Sequence, residues 1–326
     1  MNFKISNPSG RPAPFRKIAV MGAGAVGSYF GGMLARAGAA VTLIGRGAHV
    51  EAIARDGLFI DSIHFQEHVA AAASTQADAA RDAELVLFCV KTTDTDAAAR
   101  ALAPHLSAGA IVVSLQNGVD NVERIRAAAG IEAMPAVVYV AAAMLAPGRV
   151  KHAGRGDLVI GRPQRGPGGA ARSNEDLERV AQCWVGAGVP CRISENIEGE
   201  LWTKLIWNCA GNALTALARS SYGQVARNEQ ARELLAATAS EVIAVARAAG
   251  VELPPLDLVA AGVKLATALG DATSSTAQDV ARGKRTEIDA LNGYVARRGA
   301  ELGVPTPVNH TLFALVKLLE ENLSGG

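Results

Sequence analysis

Apolar residues run together in short blocks through the first half of the chain and recur at helical spacing through the second. KIAVM at 17–21 is a short apolar run, followed at once by GAGAVG and then by SYFGGMLARAG, whose last glycine suits a helix end. The pattern predicts strand, glycine turn, helix. VTLIGR at 41–46 predicts a second strand and completes a βαβ unit of about thirty residues. ELVLFCVK at 84–91 and AIVVSLQNG at 110–118 are nearly continuous in apolar residues, as strands buried on both faces are. Residues 134–161 predict further strands, and PQRGPGGAARSN at 163–174 predicts a surface loop by composition. One more helix and a strand around 191–193 end the alternation. From about Asn196 the spacing is helical throughout, closing with a helix near 308–322. The fold class expected is α/β, a Rossmann-like dinucleotide-binding domain followed by an all-α C-terminal domain. The expected boundaries are 1–15 for a disordered extension, 16–194 for the dinucleotide-binding domain and 195–326 for a helical substrate-binding domain.

Within the helical half, LWTKLIWNCAGN at 201–212 places Lys204, Asn208 and Asn212 four residues apart. That spacing keeps all three on one helix stripe, drifting only about 80° over roughly 12 Å. Asn196 is a good N-cap for this helix, with Glu198 and Glu200 in the first turn where the dipole favours negative charge. A solvated face is one reading of the stripe. Exposed faces usually carry Glu, Arg and several Lys, however, and asparagine is a poor helix former, so two amides at mid-helix suit the lining of a cleft.

The glycine turn carries the next candidate chemistry. Gly22, Gly24 and Gly27 match GxGxxG: the first permits the tight turn, the second lets the backbone reach a pyrophosphate, and the third lets helix and strand pack closely. The second strand ends in Gly45 and Arg46 instead of the acidic residue that bonds the ribose of NAD, so NADP is the expected cofactor; a solvated arginine would read the same way. Lys91, Gln116 and Asn117 sit at the carboxyl ends of two apolar strands, where doubly wound sheets bind ligands, although a strand-end residue in solvent would look alike. In SSTAQDVARGKRTEIDALNGYV, 274–295, Ile288, Leu291 and Val295 make a buried helical stripe with Glu287 beside it. Glu287 could simply complement the dipole of a helix that Thr286 caps. His64 and His68 stand four apart in a segment that alternates like a strand, with no third ligand near, so no metal site is expected.

Composition narrows the partners. With 326 residues, 49% hydrophobic and 19% charged, the chain is long enough for two ordinary globular domains. A formal net charge of +1 without runs of like charge offers no footprint for nucleic acid or a membrane surface. Cys89, Cys183, Cys191 and Cys209 sit in apolar surroundings without a CxxC, which fits free thiols in a reducing compartment. No apolar run approaches the length of a membrane span and the first residues lack the apolar core of a signal peptide, so a cytoplasmic protein is expected.

Together, the GAGAVG turn, the strand-ending Lys91, QNG at 116–118, ELWTKLIWNCAGNALTAL and SSTAQDVARGKRTEIDALNG resemble the ketopantoate reductase (2-dehydropantoate 2-reductase) family over nearly the whole chain from residue 17. The resemblance implies NADPH-dependent reduction of 2-dehydropantoate to pantoate on the route to coenzyme A. It further implies that Lys204 donates the proton and that Asn208, Asn212 and Ser275 hold substrate. Asn117 would serve both ligands, while the turn Gly22, Ala23, Gly24, Ala25, Val26 and Gly27, with Arg46, Lys91 and Glu287, would serve the cofactor. The expected partners are a small 2-keto acid and, for the chain itself, a second copy in a homodimer. The chemistry agrees with the residue types, because hydride arriving at a ketone carbon leaves an alkoxide that a lysine ammonium can stabilise and protonate. The chain departs from the family pattern at Tyr222 and Ala272, where asparagines are common, and in ALTAL for PLTAL. A related NADP-linked dehydrogenase of 2- or 3-hydroxy acids or opines, or a non-catalytic NADP-sensing protein, would share most of these features.

Overall fold

A computed structural model of the chain describes residues 14–163 and 173–324. The chain divides into two compact units, Met1–Gln116 with Asp120–Ile197, and Asn117–Val119 with Glu198–Gly326. The division after Ile197 falls three residues beyond the expected 194/195 boundary, and nothing in the sequence marks 117–119 for the helical unit.

The first unit contains strands β1 (Lys17–Met21), β2 (Ala40–Ile44), β3 (Leu58–Ser62), β4 (Gln66–Val69), β5 (Ala72–Ser74), β6 (Leu85–Phe88), β7 (Ile111–Ser114), β8 (Ala133–Ala146), β9 (Arg149–Gly161) and β10 (Cys191–Ser194). Its helices are α1 (Ala25–Arg36), α2 (Gly47–Asp56), α3 (Thr95–Leu102), α4 (Asn121–Ala129) and α5 (Asn174–Gly186). The sheet order is β4-β3-β9-β8-β7-β6-β1-β2-β5, with β10 added beside β9. Pairing is parallel except for β3 with β4 and β8 with β9.

The parallel centre follows from its apolar runs. Successive side chains point to opposite faces, so Ile18 and Val20 with Leu85, Leu87, Ile111 and Val113 join one core, while Ala19, Val86, Phe88 and Val112 join the other. Both faces are buried, and each Leu, Ile or Val removed from water contributes about 1.5–3 kcal/mol. The edge beyond β7 departs from simple βα alternation, because β8 leaves its short pairing with β7 and runs on into a long antiparallel hairpin with β9. The carboxyl ends of β6 and β7 come earlier than the apolar runs suggest, at Phe88 and Ser114, leaving Lys91 and Asn117 in the loops beyond.

Residues 1–13 of the expected extension, and 164–172 of the expected loop, lie outside the described residues. The extension does not reach residue 15 as expected: Phe15 is buried in the first core, with the Arg179 guanidinium 4.7 Å from its ring centroid. Arg179 also donates to the Pro14 carbonyl at 3.3 Å. The loop gives way at Ser173, whose hydroxyl caps α5 by accepting from the Asp176 amide.

Apart from Asn117–Val119, the regular elements of the second unit are helices: α6 (Ile197–Leu217, whose first residue belongs to the first unit), α7 (Tyr222–Arg227), α8 (Glu229–Ala248), α9 (Leu258–Leu269), α10 (Ser275–Ala281), α11 (Asn292–Leu302) and α12 (Pro307–Ser324). Side-chain caps at Ser221, Asn228, Asp257 and Ser274 start four of these helices, each satisfying a backbone N–H that lacks a partner inside the helix. Trp202, Leu205, Ile206, Cys209 and Ala213 of α6 enter the core with Val242, Val245, Ile288, Leu291, Val295 and Val316. The stripe of Ile288, Leu291 and Val295 is buried as expected, but it is not one helix. A 3-10 turn covers Ile288–Ala290, Leu291 breaks the path at φ −103° and ψ −107°, and α11 starts at Asn292.

Candidate functional site

In the first unit the three glycines of the turn meet three different demands. Gly22 has φ +106°, and a Cβ on it would lie 2.5 Å from the Val90 nitrogen. Its amide and that of Ala23 both donate to the Ile44 carbonyl at the end of β2, at 3.0 and 2.9 Å. A Cβ on Gly27 would lie 2.1 Å from the Gly22 carbonyl oxygen and 2.8 Å from Val20 Cγ1, so helix and turn approach as only glycine allows. Gly24 is the opposite case: it precedes α1 without any side-chain cap, and nothing lies within 4 Å of where its Cβ would be. The space beside the start of α1 is clear at Gly24 and the helix has no side-chain cap there, an arrangement that suits a phosphate. Arg46 stands two residues beyond β2, exposed, and its guanidinium has no hydrogen bond or ion pair among the described residues.

Lys91 is half-buried, three residues past β6, at the start of a 3-10 turn spanning Thr92–Asp94. Its loop is held by Gln116, a role that no local pattern in the chain announces. The buried Gln116 amide donates to the Val90 carbonyl at 3.1 Å and to Thr95 Oγ1 at 2.7 Å, and accepts from Ser114 Oγ at 3.0 Å. One side chain at the end of β7 thus fixes the residues on both sides of Lys91.

In the second unit, Lys204, Asn117 and Glu287 form a chain. Lys204 Nζ donates to Asn117 Oδ1 at 2.8 Å, and Asn117 Nδ2 donates to Glu287 Oε2 at 3.0 Å. Because an ammonium can only donate and a carboxylate only accept, the orientation of the Asn117 amide is fixed by its two neighbours. An ammonium and a carboxylate are linked through a neutral group, all three half-buried. Glu287 is seated by its neighbour Thr286, whose amide and hydroxyl donate to Glu320 Oε1 at 2.7 and 2.6 Å, while Lys317 donates to the other Glu320 oxygen at 2.9 Å. Burial works against the Glu320 carboxylate, yet the Thr286 donors and the Lys317 ammonium together hold it below the usual carboxylate range. Thr286 is therefore not the cap of a following α-helix. Its hydroxyl serves Glu320 and accepts from the Ile288 amide at 3.2 Å, and Glu287 itself precedes the 3-10 turn.

The stripe on α6 is not a solvated face. Lys204 and Asn208 are half-buried and Asn212 is 2% exposed. Asn212 Oδ1 accepts from the Tyr222 hydroxyl at 2.8 Å, and the Tyr222 ring occupies the space that Gly211 leaves. Ser274, not Ser275, ties α10 to α6: its hydroxyl accepts from Thr215 Oγ1 at 2.7 Å and donates to the Asn212 carbonyl at 3.2 Å. Ser275 follows that cap as an exposed residue at the start of α10.

Elsewhere, the thiols have no nucleophilic character. Burial pushes Cys183 and Cys191 up to about 12 and raises Cys89 and Cys209 as well, so all four stay protonated at neutral pH. His68 Nδ1 lies 2.9 Å from the Asp56 carbonyl and its ring stands beside Phe59, a packing role in the β3–β4 hairpin.

The arrangement has parallels among known proteins. The family model described as Ketopantoate reductase PanE/ApbA matches residues 18–165, and its C-terminal counterpart matches residues 196–320. The 2-dehydropantoate 2-reductase of Pyrococcus horikoshii is 33% identical over 312 residues, spanning 95% of this chain and 99% of that protein. A crystal structure of a PanE/ApbA family ketopantoate reductase from Ralstonia eutropha JMP134 is 48% identical, with a TM-score of 0.86 over 94% of this chain and 99% of that one. A D-mandelate dehydrogenase solved with NADH and anilino(oxo)acetate shares the fold, with a TM-score of 0.85 at 24% identity over 94% of this chain and 99% of that chain. Two family models that between them span both units, and relatives aligned over almost their full length, leave one conclusion: the chain belongs to the ketopantoate reductase family and is an oxidoreductase.

Proposed function

We propose that the chain reduces a 2-keto acid with NADPH, and that 2-dehydropantoate is the substrate, giving (R)-pantoate for pantothenate and coenzyme A synthesis. The observation that carries this reading is the Lys204–Asn117–Glu287 chain, which presents an ammonium as a proton source and holds it by a neutral amide. When bound, the reduced nicotinamide supplies the hydride. Lys204 stabilises the negative charge that develops on the substrate oxygen and gives that oxygen its proton, completing the addition of two hydrogens across the carbonyl. Asn117 aligns the ammonium, and Glu287 orients Asn117 in turn. Asn208 and Ser275 lie on the same helical unit as candidates for holding the substrate carboxylate and substituents. Lys91, beside the Gln116 clamp, is a candidate for the cofactor. Four protonated thiols and a diffusible cofactor suit a cytoplasmic enzyme.

The glycine turn and Arg46 support the choice of cofactor. The open approach at Gly24 and the bare first turn of α1 fit a pyrophosphate, and an exposed guanidinium after β2 fits a 2′-phosphate through paired charge-assisted bonds. Two substitutions separate the roles of the glycines. Gly27→Ala is expected to cost about 1–3 kcal/mol of stability, because the new methyl meets a backbone carbonyl and not a yielding side chain. Gly24→Ala is expected to leave the melting temperature unchanged while weakening NADPH binding by about tenfold or more, since the methyl enters the space a phosphate would use. Denaturant unfolding and cofactor titration of both variants check the pair; equal effects on stability would contradict it.

Function itself is tested by following NADPH absorbance with 2-dehydropantoate and identifying the product. Stoichiometric formation of pantoate is expected, and an absence of turnover with this and other 2-keto acids would refute the reading.

A further inference from the structure

We propose that Tyr222 sets the substrate preference of the helical unit: its hydroxyl occupies one acceptor site of the Asn212 oxygen, so that Asn212 serves a substrate better as a donor and a terminal hydroxyl that must donate competes with the phenol for that oxygen. The inference rests on the reading of the chain as a 2-keto acid reductase and names the group on the substrate that this chain discriminates.

Tyr222 is held on all sides. Ser221 and Gln224 form a reciprocal capping box that starts α7, and the Tyr222 and Gly223 amides donate to the Ala272 and Gly270 carbonyls at 3.0 and 2.7 Å. A Cβ on Gly223 would lie 2.9 Å from the Gly270 oxygen, so this backbone cannot retreat. The ring is pressed against α6 where Gly211 has no side chain; a Cβ there would come within 2.8 Å of Tyr222 Cε1. Phenol and amide are therefore positioned by backbone contacts on both partners.

The direction of their hydrogen bond follows from chemistry. Burial pushes the Tyr222 phenol up to about 12, so it stays protonated across the working range, and a phenolic O–H is a strong donor for an amide oxygen. With Oδ1 engaged at 2.8 Å, the planar amide turns Nδ2 to the opposite side, where it has no partner among the described residues although Asn212 is 2% exposed. The residual exposure of Asn212 leaves Nδ2 as a donor that a ligand oxygen can engage. Asn212 lies two helical turns beyond Lys204 on the same stripe, and in the proposed binding mode it serves the end of the acid remote from its reacting carbonyl. The carbonyl of Ala272, the other position where the chain departs from the family pattern, is already engaged by the Tyr222 amide, and its methyl offers no donor or acceptor. Substrates with an acceptor or an apolar group at this end fit; one that needs an acceptor for its own hydroxyl proton must share the Asn212 oxygen with the Tyr222 phenol.

The test uses two 2-keto acids that differ only in the 4-hydroxyl, 2-dehydropantoate and 3,3-dimethyl-2-oxobutanoate, with NADPH. In the wild type, kcat/KM is expected to favour the hydroxylated acid by less than about 10². Tyr222→Phe keeps the ring over Gly211 but frees Asn212 Oδ1, and is expected to raise the ratio of the two kcat/KM values by about tenfold, the worth of one recovered hydrogen bond. Tyr222→Asn is expected to raise it at least as far. A wild-type preference of about 10⁴ or more, or equal changes for both acids in both variants, would overturn the proposal, because a merely structural Tyr222 would move the two substrates together. A wild type that turns over neither acid would instead overturn the reductase reading beneath it.

Discussion

Replacing Lys204 with alanine is expected to lower kcat by about 10²- to 10⁴-fold while NADPH binds as before. The size of the effect follows from what the ammonium does. Charge on the substrate oxygen is small in the ground state and large as the hydride arrives, so a cation aimed at that oxygen stabilises the transition state far more than the bound substrate. The position of Lys204 is set by α6, whose buried face locks the helix, and by the bond from Nζ to Asn117 at 2.8 Å, which limits where the long side chain can point; in the proposed role that position faces the substrate oxygen. The glycine turn and Arg46 belong to the other unit and keep their geometry in the variant. Cofactor titration together with steady-state kinetics checks the separation. Near-normal turnover would mean that solvent or another residue supplies the proton, and a parallel loss of NADPH affinity would mean that Lys204 serves the cofactor instead.

Arg46→Ala is expected to erase most of the preference for NADPH over NADH. A charge-assisted contact to the 2′-phosphate contributes about 1.5–3 kcal/mol, which corresponds to roughly ten- to a hundredfold in affinity. The residue sits where a dinucleotide fold reads the ribose, two positions past the end of β2, and its guanidinium is free of competing carboxylates among the described residues. NADH binding should change little, because that cofactor has no phosphate to lose. Titration of wild type and variant with both cofactors checks this, and equal affinities in the wild type would refute the assignment. The fold alone does not decide it, since a D-mandelate dehydrogenase of similar fold was solved with NADH.

Much of this was legible in the chain because it is local. The strand, turn and helix around Gly22, Gly24 and Gly27 are one contiguous stretch, and each glycine answers a short-range demand that spacing alone conveys. The stripe of Lys204, Asn208 and Asn212 was legible for the same reason, since four-residue spacing on a helix needs no knowledge of what packs against it. Contacts between distant segments were not legible. Asn117 lies 87 residues before Lys204 and 170 before Glu287, and no local pattern announces that its amide joins them. Gln116 looked like a strand end and is a buried clamp for the Lys91 loop. Thr286 looked like a helix cap, and Glu320, 34 residues later, draws its donors away. Tyr222 was visible as a departure from a family pattern, but its bond to Asn212 depends on how α7 docks on the bare surface at Gly211. Phe15 falls at the end of a stretch dominated by Pro, Ser and Asn, which conceals that its own large apolar side chain is buried in the core.

Deuterium transfer tests the central claim most directly. The enzyme is given 2-dehydropantoate and NADPH carrying deuterium at both positions of nicotinamide C4, in ordinary water, and the product is read by mass spectrometry and proton NMR. Hydride transfer to the keto carbon, with the oxygen protonated through Lys204, gives pantoate with one deuterium, located at C2. Product with hydrogen at C2, or disappearance of the 2-keto acid without matching oxidation of NADPH, would contradict the assignment of this chain as an NADPH-dependent 2-keto acid reductase.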